Sequence, residues 1–267
     1  MTRILRVATW NIFAGRTWDG ARVDLDLTLA TLRRLEADLV VLQEVDRFQP
    51  RSHRTDQAGQ LAGALGMEWR YAPALLGTPG SPEGWRAPAP GDPDPGGTAY
   101  GIALLSRLPL DQVETVLLPQ SGRDEPRVAL VAGLADGGRR MTVAGTHLSF
   151  VPGPNLGQLR VLQRHLDDLG GPRLLLGDLN LWWPAVRLLS RPGWRPLVHG
   201  GTFRNRPPGS HAPLVQLDHV LAAGAGATVR RRGARIVGGP ASDHRAVLVE
   251  LEWGRTGQAC GRSNQLW

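Results

Sequence analysis

Leu174-Leu175-Leu176-Gly177-Asp178-Leu179-Asn180 begins as a strand and ends as chemistry. Three consecutive leucines bounded by turn residues have the composition of a strand covered on both faces, as in the sheet of an α/β protein. An aspartate and an asparagine then follow within four residues of the last leucine. Such groups are costly to bury unpaired, so a strand that ends in them ends at a ligand, a metal or another polar group.

The pattern recurs. Thr9-Trp10-Asn11, Leu42-Gln43-Glu44, Gly145-Thr146-His147, Leu217-Asp218-His219 and Ser242-Asp243-His244 each close or flank a short apolar run. The runs are Ile4–Thr9, Val40–Leu42, Ile102–Leu105, Val128–Val131, Thr142–Ala144, Leu174–Leu176, Val220–Ala222 and Ala246–Leu251. Between them, leucines spaced by three and four predict amphipathic helices over Asp24–Asp38, Thr55–Leu65 and Pro154–Leu169, the last two stopped by glycine. Alternating strands and helices imply an α/β sheet, whose polar strand ends converge on one edge where ligands bind. Gly77–Gly97 is too rich in Gly and Pro for a ladder or a helix and reads as a long loop rimming the site. Residues 1–254 read as one domain and 255–267 as a polar, poorly ordered tail.

Composition sets looser bounds. The chain of 267 residues is 42% hydrophobic and 21% charged, which fits a globular domain large enough to need no disulfide. Cys260 is the single cysteine, so neither an intramolecular disulfide nor a thiolate metal site is expected. No apolar run approaches the roughly 18 residues of a membrane span. Met1–Thr9 lacks the apolar core of a cleaved signal, so a cytoplasmic protein without membrane insertion, acting as a monomer, is expected. The net charge of +7 points to an anionic partner such as nucleic acid. All 31 basic residues are arginine, however, and with 34 Gly and 21 Pro this also fits a GC-rich coding bias.

Glu44, Asp178, Asn180, Asp243 and Asn11 form an oxygen-rich set suited to a hard cation, Mg²⁺ with Mn²⁺ as the alternative, and not to zinc. His244 can take a proton from water near neutral pH, and a carboxylate on its other nitrogen, for which Asp218 is the candidate, would fix its tautomer. His147 supplies a second imidazole. Asn11 and Asn180 taken singly read equally well as turn caps.

The set TWNI, LQEV, YGIALLSR, GTHLS, GDLN, LDHV and SDHRAV, in this order from Arg3 to about Trp253, resembles the endonuclease/exonuclease/phosphatase superfamily. The resemblance implies a deoxyribonuclease I-like fold, a four-layer αββα sandwich of two facing mixed sheets flanked by helices. It implies a metal-dependent phosphoric ester hydrolase in which Glu44 is the principal Mg²⁺ ligand, with Asn11 beside it and Asp243 helping. Asp178 and Asn180 would orient the attacking water and contact the phosphate. His244 with Asp218 would be the general base or a phosphate contact, and His147 would bind the scissile phosphate. The apurinic-endonuclease branch carries Tyr-Pro-Asn where this chain has His147-Leu148-Ser149. The His form resembles the branch of deoxyribonuclease I, sphingomyelinases and inositol-phosphate phosphatases, which argues against abasic-site repair.

Three functions follow as expectations: a nuclease, a phosphatase or phosphodiesterase of a lipid headgroup or small metabolite, and a non-catalytic binding module. His53, His165, His199, His211 and His219 read as surface or structural. Trp182-Trp183 reads as core or rim packing with base or lipid stacking as the alternative, and Arg127 as either substrate-facing or a strand-edge residue. Arg230-Arg231-Arg232 reads as a solvated hairpin.

Overall fold

In the computed structural model, the described residues are 2–81, 84–90, 92, 96–122, 124–203, 215–224 and 229–254. The expected tail, Cys260 and His211 lie outside them.

Five strands form in the first part of the chain: β1 (Arg3–Asn11), β2 (Leu39–Arg47), β3 (Glu68–Gly77), β4 (Trp85–Arg86) and β5 (Ala99–Ser106). Eight follow: β6 (Leu110–Leu117), β7 (Val128–Asp136), β8 (Arg139–His147), β9 (Arg173–Asp178), β10 (Arg195–Pro196), β11 (Asp218–Ala223), β12 (Val229–Val237) and β13 (Ala246–Trp253). The helices are α1 (Leu25–Leu35), α2 (Gln57–Leu65), α3 (Pro154–Leu169) and α4 (Trp183–Leu189).

Two mixed sheets result, ordered β12-β13-β1-β2-β5-β3-β4 and β10-β11-β9-β8-β7-β6. Each has one parallel pair near its centre, β1 with β2 and β8 with β9, and is otherwise antiparallel. Side-chain alternation then divides the molecule into layers. Leu39 and Val41 of β2 join Leu5, Val7, Leu104, Leu130, Val143, Leu174 and Leu176 in the core between the sheets. Val40 and Leu42 face the other way, onto Leu32 and Leu35 of α1 and Leu61 of α2. On the second sheet, Ala144 and Leu175 meet Leu159, Leu162 and Leu166 of α3 and Val186 of α4. Helices cover both outer faces, so the architecture is the expected αββα sandwich, and strands buried on both faces read as unbroken apolar runs.

The structure departs from the sequence reading in places that have a physical cause. The first helix stops at Leu35, where Glu36 turns left-handed (φ 49°), and Asp38 instead accepts a 2.8 Å hydrogen bond from the Arg6 amide. The second starts at Gln57 with Asp56 as its cap, the side chain accepting from the Gly59 amide at 3.0 Å. Gly77–Gly97 does hold a ladder: β3 runs to Gly77, and Trp85–Arg86 pairs with Leu76–Gly77. A two-residue edge pairing needs few amides, and Gly77 (φ 100°) supplies the close approach, since a Cβ there would stand 2.5 Å from the Gly84 carbonyl oxygen. Three long strands, β3, β6 and β12, carry too many exposed polar residues to stand out as apolar runs.

Candidate active site

The site is the polar end of the inter-sheet core. Residues two apart on a strand share a face. Leu5 and Val7 therefore lead to Thr9 and Asn11, Leu39 and Val41 to Gln43, Met141 and Val143 to His147, and Leu174 and Leu176 to Asp178. On antiparallel β11 the same face carries Ala222, Val220 and Asp218. Register completes the convergence: Asp178 lies opposite both His147 and Asp218, and Asn11 opposite Gln43.

Glu44 breaks this parity, since even-numbered β2 residues face the helices. A register shift between Leu42 and Val45 and a left-handed backbone at Glu44 (φ 53°) turn its side chain to the mouth. Asn180 (φ 48°) and Ser242 (φ 60°) are also left-handed, so three strained positions cluster where the polar groups meet. The Ser242 hydroxyl donates to the Asn11 carbonyl at 2.7 Å and accepts from the His244 amide at 3.0 Å, tying the SDH segment to the end of β1.

One amide nitrogen joins the acids. Asn11 Nδ2 donates to Glu44 Oε1 at 2.9 Å and to Asp178 Oδ2 at 3.2 Å, while its Oδ1 accepts from the Phe13 amide at 3.0 Å. Asn11 thus both caps a turn and holds two carboxylates together. His244 Nδ1 lies 2.8 Å from Asp218 Oδ2, and its Nε2 lies 3.7 Å from Asp178 Oδ2, the atom that also sits 3.6 Å from His147 Nε2. The Thr202 hydroxyl accepts from the Asp218 amide at 3.1 Å. Asn180 Nδ2 donates to the Leu148 carbonyl at 3.0 Å and stands 3.3 Å from His147 Nε2, and the Asn180 amide donates to Asp178 Oδ1 at 3.0 Å. All eight expected site residues fall in one neighbourhood, since Asp243 lines the same cavity as Glu44, Asp178 and His244.

Charge divides the two imidazoles. Burial depresses His147 well below the usual histidine range, and the nearby Arg127 guanidinium adds to this. Burial opposes the charged form of His244 too, but Asp218, Asp178 and Asp243 outweigh it and raise its pKa to about 10. Glu44, Asp178 and Asp243 are all raised, burial being the main cause for each. The carboxylates Glu44, Asp178, Asp218 and Asp243 outnumber the one imidazolium among them, and the cavity's Arg51 and Arg127 are already paired with Asp46 and Glu125, so the mouth is short of positive charge. Their all-oxygen character fits a hard divalent cation with Glu44, Asp178 and Asp243 around it. Asp178, Asp218 and His244 also hold ligand-type atoms within 4.8 Å of one another. Asp218 and His244 are already committed to each other, so the Glu44 side is the better place for an oxygen-seeking ion.

The cavity above these groups is about 480 Å³. Sequence reasoning missed several of its walls. Arg51 is held by two hydrogen bonds to the fully buried Asp46, at 2.7 and 2.9 Å, and its guanidinium lies 5.3 Å from the centre of the Tyr100 ring. Phe203 packs 4.8 Å from the His244 ring, and Phe13 and Phe150 complete the rim with Leu75 and Pro79, which precede and follow Gly77. Of these, only Tyr100 belongs to a sequence motif; Leu75 lies on β3, and the others come from loops and short 3₁₀ turns, where no periodicity marks a side chain's destination. Arg127 lines the cavity, is 4% exposed and pairs with Glu125 at 3.0 Å, so its substrate-facing reading is the one the geometry supports.

The other described histidines behave as structural or surface groups. His219 is fully buried between the Leu181 carbonyl, 2.8 Å away, and Gln216, and burial lowers its pKa to about 4. His165 pairs with Glu114 at 2.7 Å on the surface, His53 caps a short 3₁₀ turn, and His199 packs on Trp183. Trp182 is exposed. Arg230–Arg232 is solvated and lies on strand β12.

Residues 8–244 match the Endonuclease/Exonuclease/phosphatase family, and the chain belongs to it. It is therefore of a class of phosphoesterases and nucleases that is generally metal-dependent, and the expected resemblance holds over nearly its whole length. Among similar solved structures is an endonuclease/exonuclease/phosphatase from Beutenbergia cavernae DSM 12333, 26% identical, with a TM-score of 0.69 over 94% of this chain and 72% of that one. A truncated TDP2 from Caenorhabditis elegans is 15% identical, with a TM-score of 0.66 over 93% and 97%. The mannosyl-6-phosphatase Bt3783 of Bacteroides thetaiotaomicron VPI-5482 is 18% identical, with a TM-score of 0.65 over 92% and 99%. The last two share the fold. No functionally curated protein matches the chain in sequence. Among the described residues no helix is long and apolar enough to cross a membrane.

Proposed function

We propose that residues 1–254 act as one catalytic domain, a Mg²⁺-dependent phosphodiesterase with nucleic acid as its substrate class. The observation that carries this reading is the Asn11 amide gripping Glu44 and Asp178 beside the Asp218–His244 pair. Bound Mg²⁺ would neutralise phosphate oxygens, stabilise the leaving oxygen and offset the carboxylates that hold His244 charged. Glu44 and Asp243 would hold it, with Asn11 orienting Glu44. Asp178 and Asn180 position the attacking water, while Asp218 fixes the His244 tautomer so that Nε2 faces that water and takes its proton. His147, Arg127 and Arg51 contact the phosphate oxygens. The alternatives, a small phosphorylated metabolite or a lipid headgroup, fit the same chemistry, but the two cavity arginines and the net charge of +7 favour a polyanion.

A second reading of one role has a specific observation behind it. With a pKa of about 10 and a neutral His147 opposite, His244 could serve as a cationic phosphate contact. The reading as a base expects log(kcat/KM) to rise with pH as His244 loses its proton, and the reading as a cation expects it to fall over the same step. Turnover of plasmid DNA, RNA, bis-p-nitrophenyl phosphate, sphingomyelin and phosphoinositides with Mg²⁺ and with EDTA tests the function itself. Cleavage of diesters that stops in EDTA is expected. Undiminished cleavage in EDTA would defeat the metal, and action on monoesters alone would replace the nuclease by a phosphatase.

A further inference from the structure

The open side of the sandwich carries a second concave site. There β10, the last strand of one sheet, faces β12, the last strand of the other, across a trough of about 600 Å³. Arg195 of β10 and Arg230 and Arg231 of β12 line it, all exposed. Arg195 and Arg230 make no ion pair among the described residues, and Arg231 only donates to the Leu197 carbonyl, at 3.3 Å across the gap. The neighbouring Arg232, by contrast, is neutralised by Glu252 at 2.7 Å and lies outside the trough. An exposed imidazole, His199, forms part of the wall, backed by Trp183 with ring centres 4.4 Å apart. Both aromatics sit on segments that start or end in the active site. Trp183 follows Asn180 by three residues, and His199 precedes Phe203, which packs on His244, by four.

We propose that this trough binds a single-stranded polynucleotide, with phosphates on Arg195, Arg230 and Arg231 and a base stacked on His199. The proposal rests on the nuclease reading and extends it by giving the substrate a path away from the scissile phosphate. Unpaired arginines beside a backed aromatic face are the combination that grips a sugar-phosphate chain without reading its sequence. A bilayer surface fits poorly, because it is flat and meets protruding residues, whereas these arginines line a hollow. Arginines on edge strands also guard against edge-to-edge pairing, but that duty asks for neither a hollow nor an aromatic wall.

The test uses the full chain and a fluorescein-labelled oligothymidylate, with bis-p-nitrophenyl phosphate as a substrate too small to reach the trough. Arg195→Gln/Arg230→Gln/Arg231→Gln should bind the oligonucleotide at least tenfold more weakly. Its salt slope should fall by about 2, at roughly 0.7 for each single-strand phosphate no longer neutralised. His199→Ala should weaken binding about tenfold, the effect expected for one stacked base. Both variants should hydrolyse bis-p-nitrophenyl phosphate at the unaltered rate and show an unchanged thermal midpoint. Unchanged oligonucleotide binding would overturn the proposal while leaving the nuclease reading intact if cleavage persists. Self-association of the arginine variant with unchanged binding would assign the arginines to edge protection. Loss of binding to phosphatidylserine vesicles alone would assign the trough to a membrane. An intact chain that neither binds nor cleaves any polynucleotide would defeat both readings together.

Discussion

The middle of the sandwich and its mouth are built from the same side-chain stripes and treat them in opposite ways. Between the sheets, the inward positions of β1, β2, β8, β9 and β11 are Leu, Val, Met and Ala, and each adds apolar area to the core. Further along the same strands, towards the mouth, the inward positions become Asn11, Gln43, His147, Asp178 and Asp218, all buried. There Asp178 faces Asp218 across the ladder, a like-charge pairing that costs stability unless cations offset it. The comparison teaches that the sheet register that stabilises the middle also places the chemistry, while the mouth itself is held at some cost.

That contrast can be broken from either side. The largest effect expected is on turnover: Asp178→Ala should lower kcat on a diester by on the order of 10³-fold or more, as for other groups aimed at developing charge. Its thermal midpoint should stay level or rise, because a buried repulsion is relieved. A fall of many degrees would make Asp178 as structural as the leucines behind it. Leu176→Ala, two residues back and fully buried, should do the reverse, with a loss of about 2–5 kcal/mol of stability by denaturant titration and unaltered kcat per folded molecule.

How much of this was legible beforehand depended on whether the signal was periodic. Strands buried on both faces are legible as short apolar runs, and the polar groups at Asn11, Asp178 and His244 stand out because they close or flank such runs. The helix Pro154–Leu169 has its expected bounds, since proline at its start and Gly170 at its end are both local signals. Glu44 was named by its motif, but the bulge that turns it inward follows from pairing with β5, which no local pattern reports. Arg51 and Phe203 were invisible for the same reason: their places are set by Asp46 and His244, met only after folding. In Gly77–Gly97, richness in Gly and Pro does not exclude a ladder, because two paired residues at a sheet edge suffice, while Pro79 does line the cavity as a rim.

Smaller effects sharpen the account at positions that link core and mouth. His219 is buried without charge, with a pKa of about 4 against the ordinary 6.5. Its folded-state pKa is depressed, so the unfolded chain binds the extra proton. Stability is therefore complete above pH 6.5, declines as pH falls from 6.5 towards 4, and levels off below. A shift of that size corresponds to about 3 kcal/mol. Denaturation midpoints across that window should show the decline in the wild type and a flatter profile in His219→Asn; parallel profiles would contradict it. The smallest effect is expected at Asp24, which does not line the cavity and whose side chain caps α1 by accepting from the Leu27 amide at 3.1 Å. Asp24→Ala should cost about 1 kcal/mol, with no change in kcat.

In the proposed site, side chains from distant parts of the chain jointly grip one divalent ion. Titration of the protein with Mn²⁺, followed by its electron paramagnetic resonance signal, reads this directly in the wild type and in Glu44→Gln. The account predicts that Mg²⁺ competes for a bound Mn²⁺ in the wild type, and that Glu44→Gln loses both the binding and diester turnover while keeping its thermal midpoint. Wild-type Mn²⁺ binding and turnover in Glu44→Gln would contradict it.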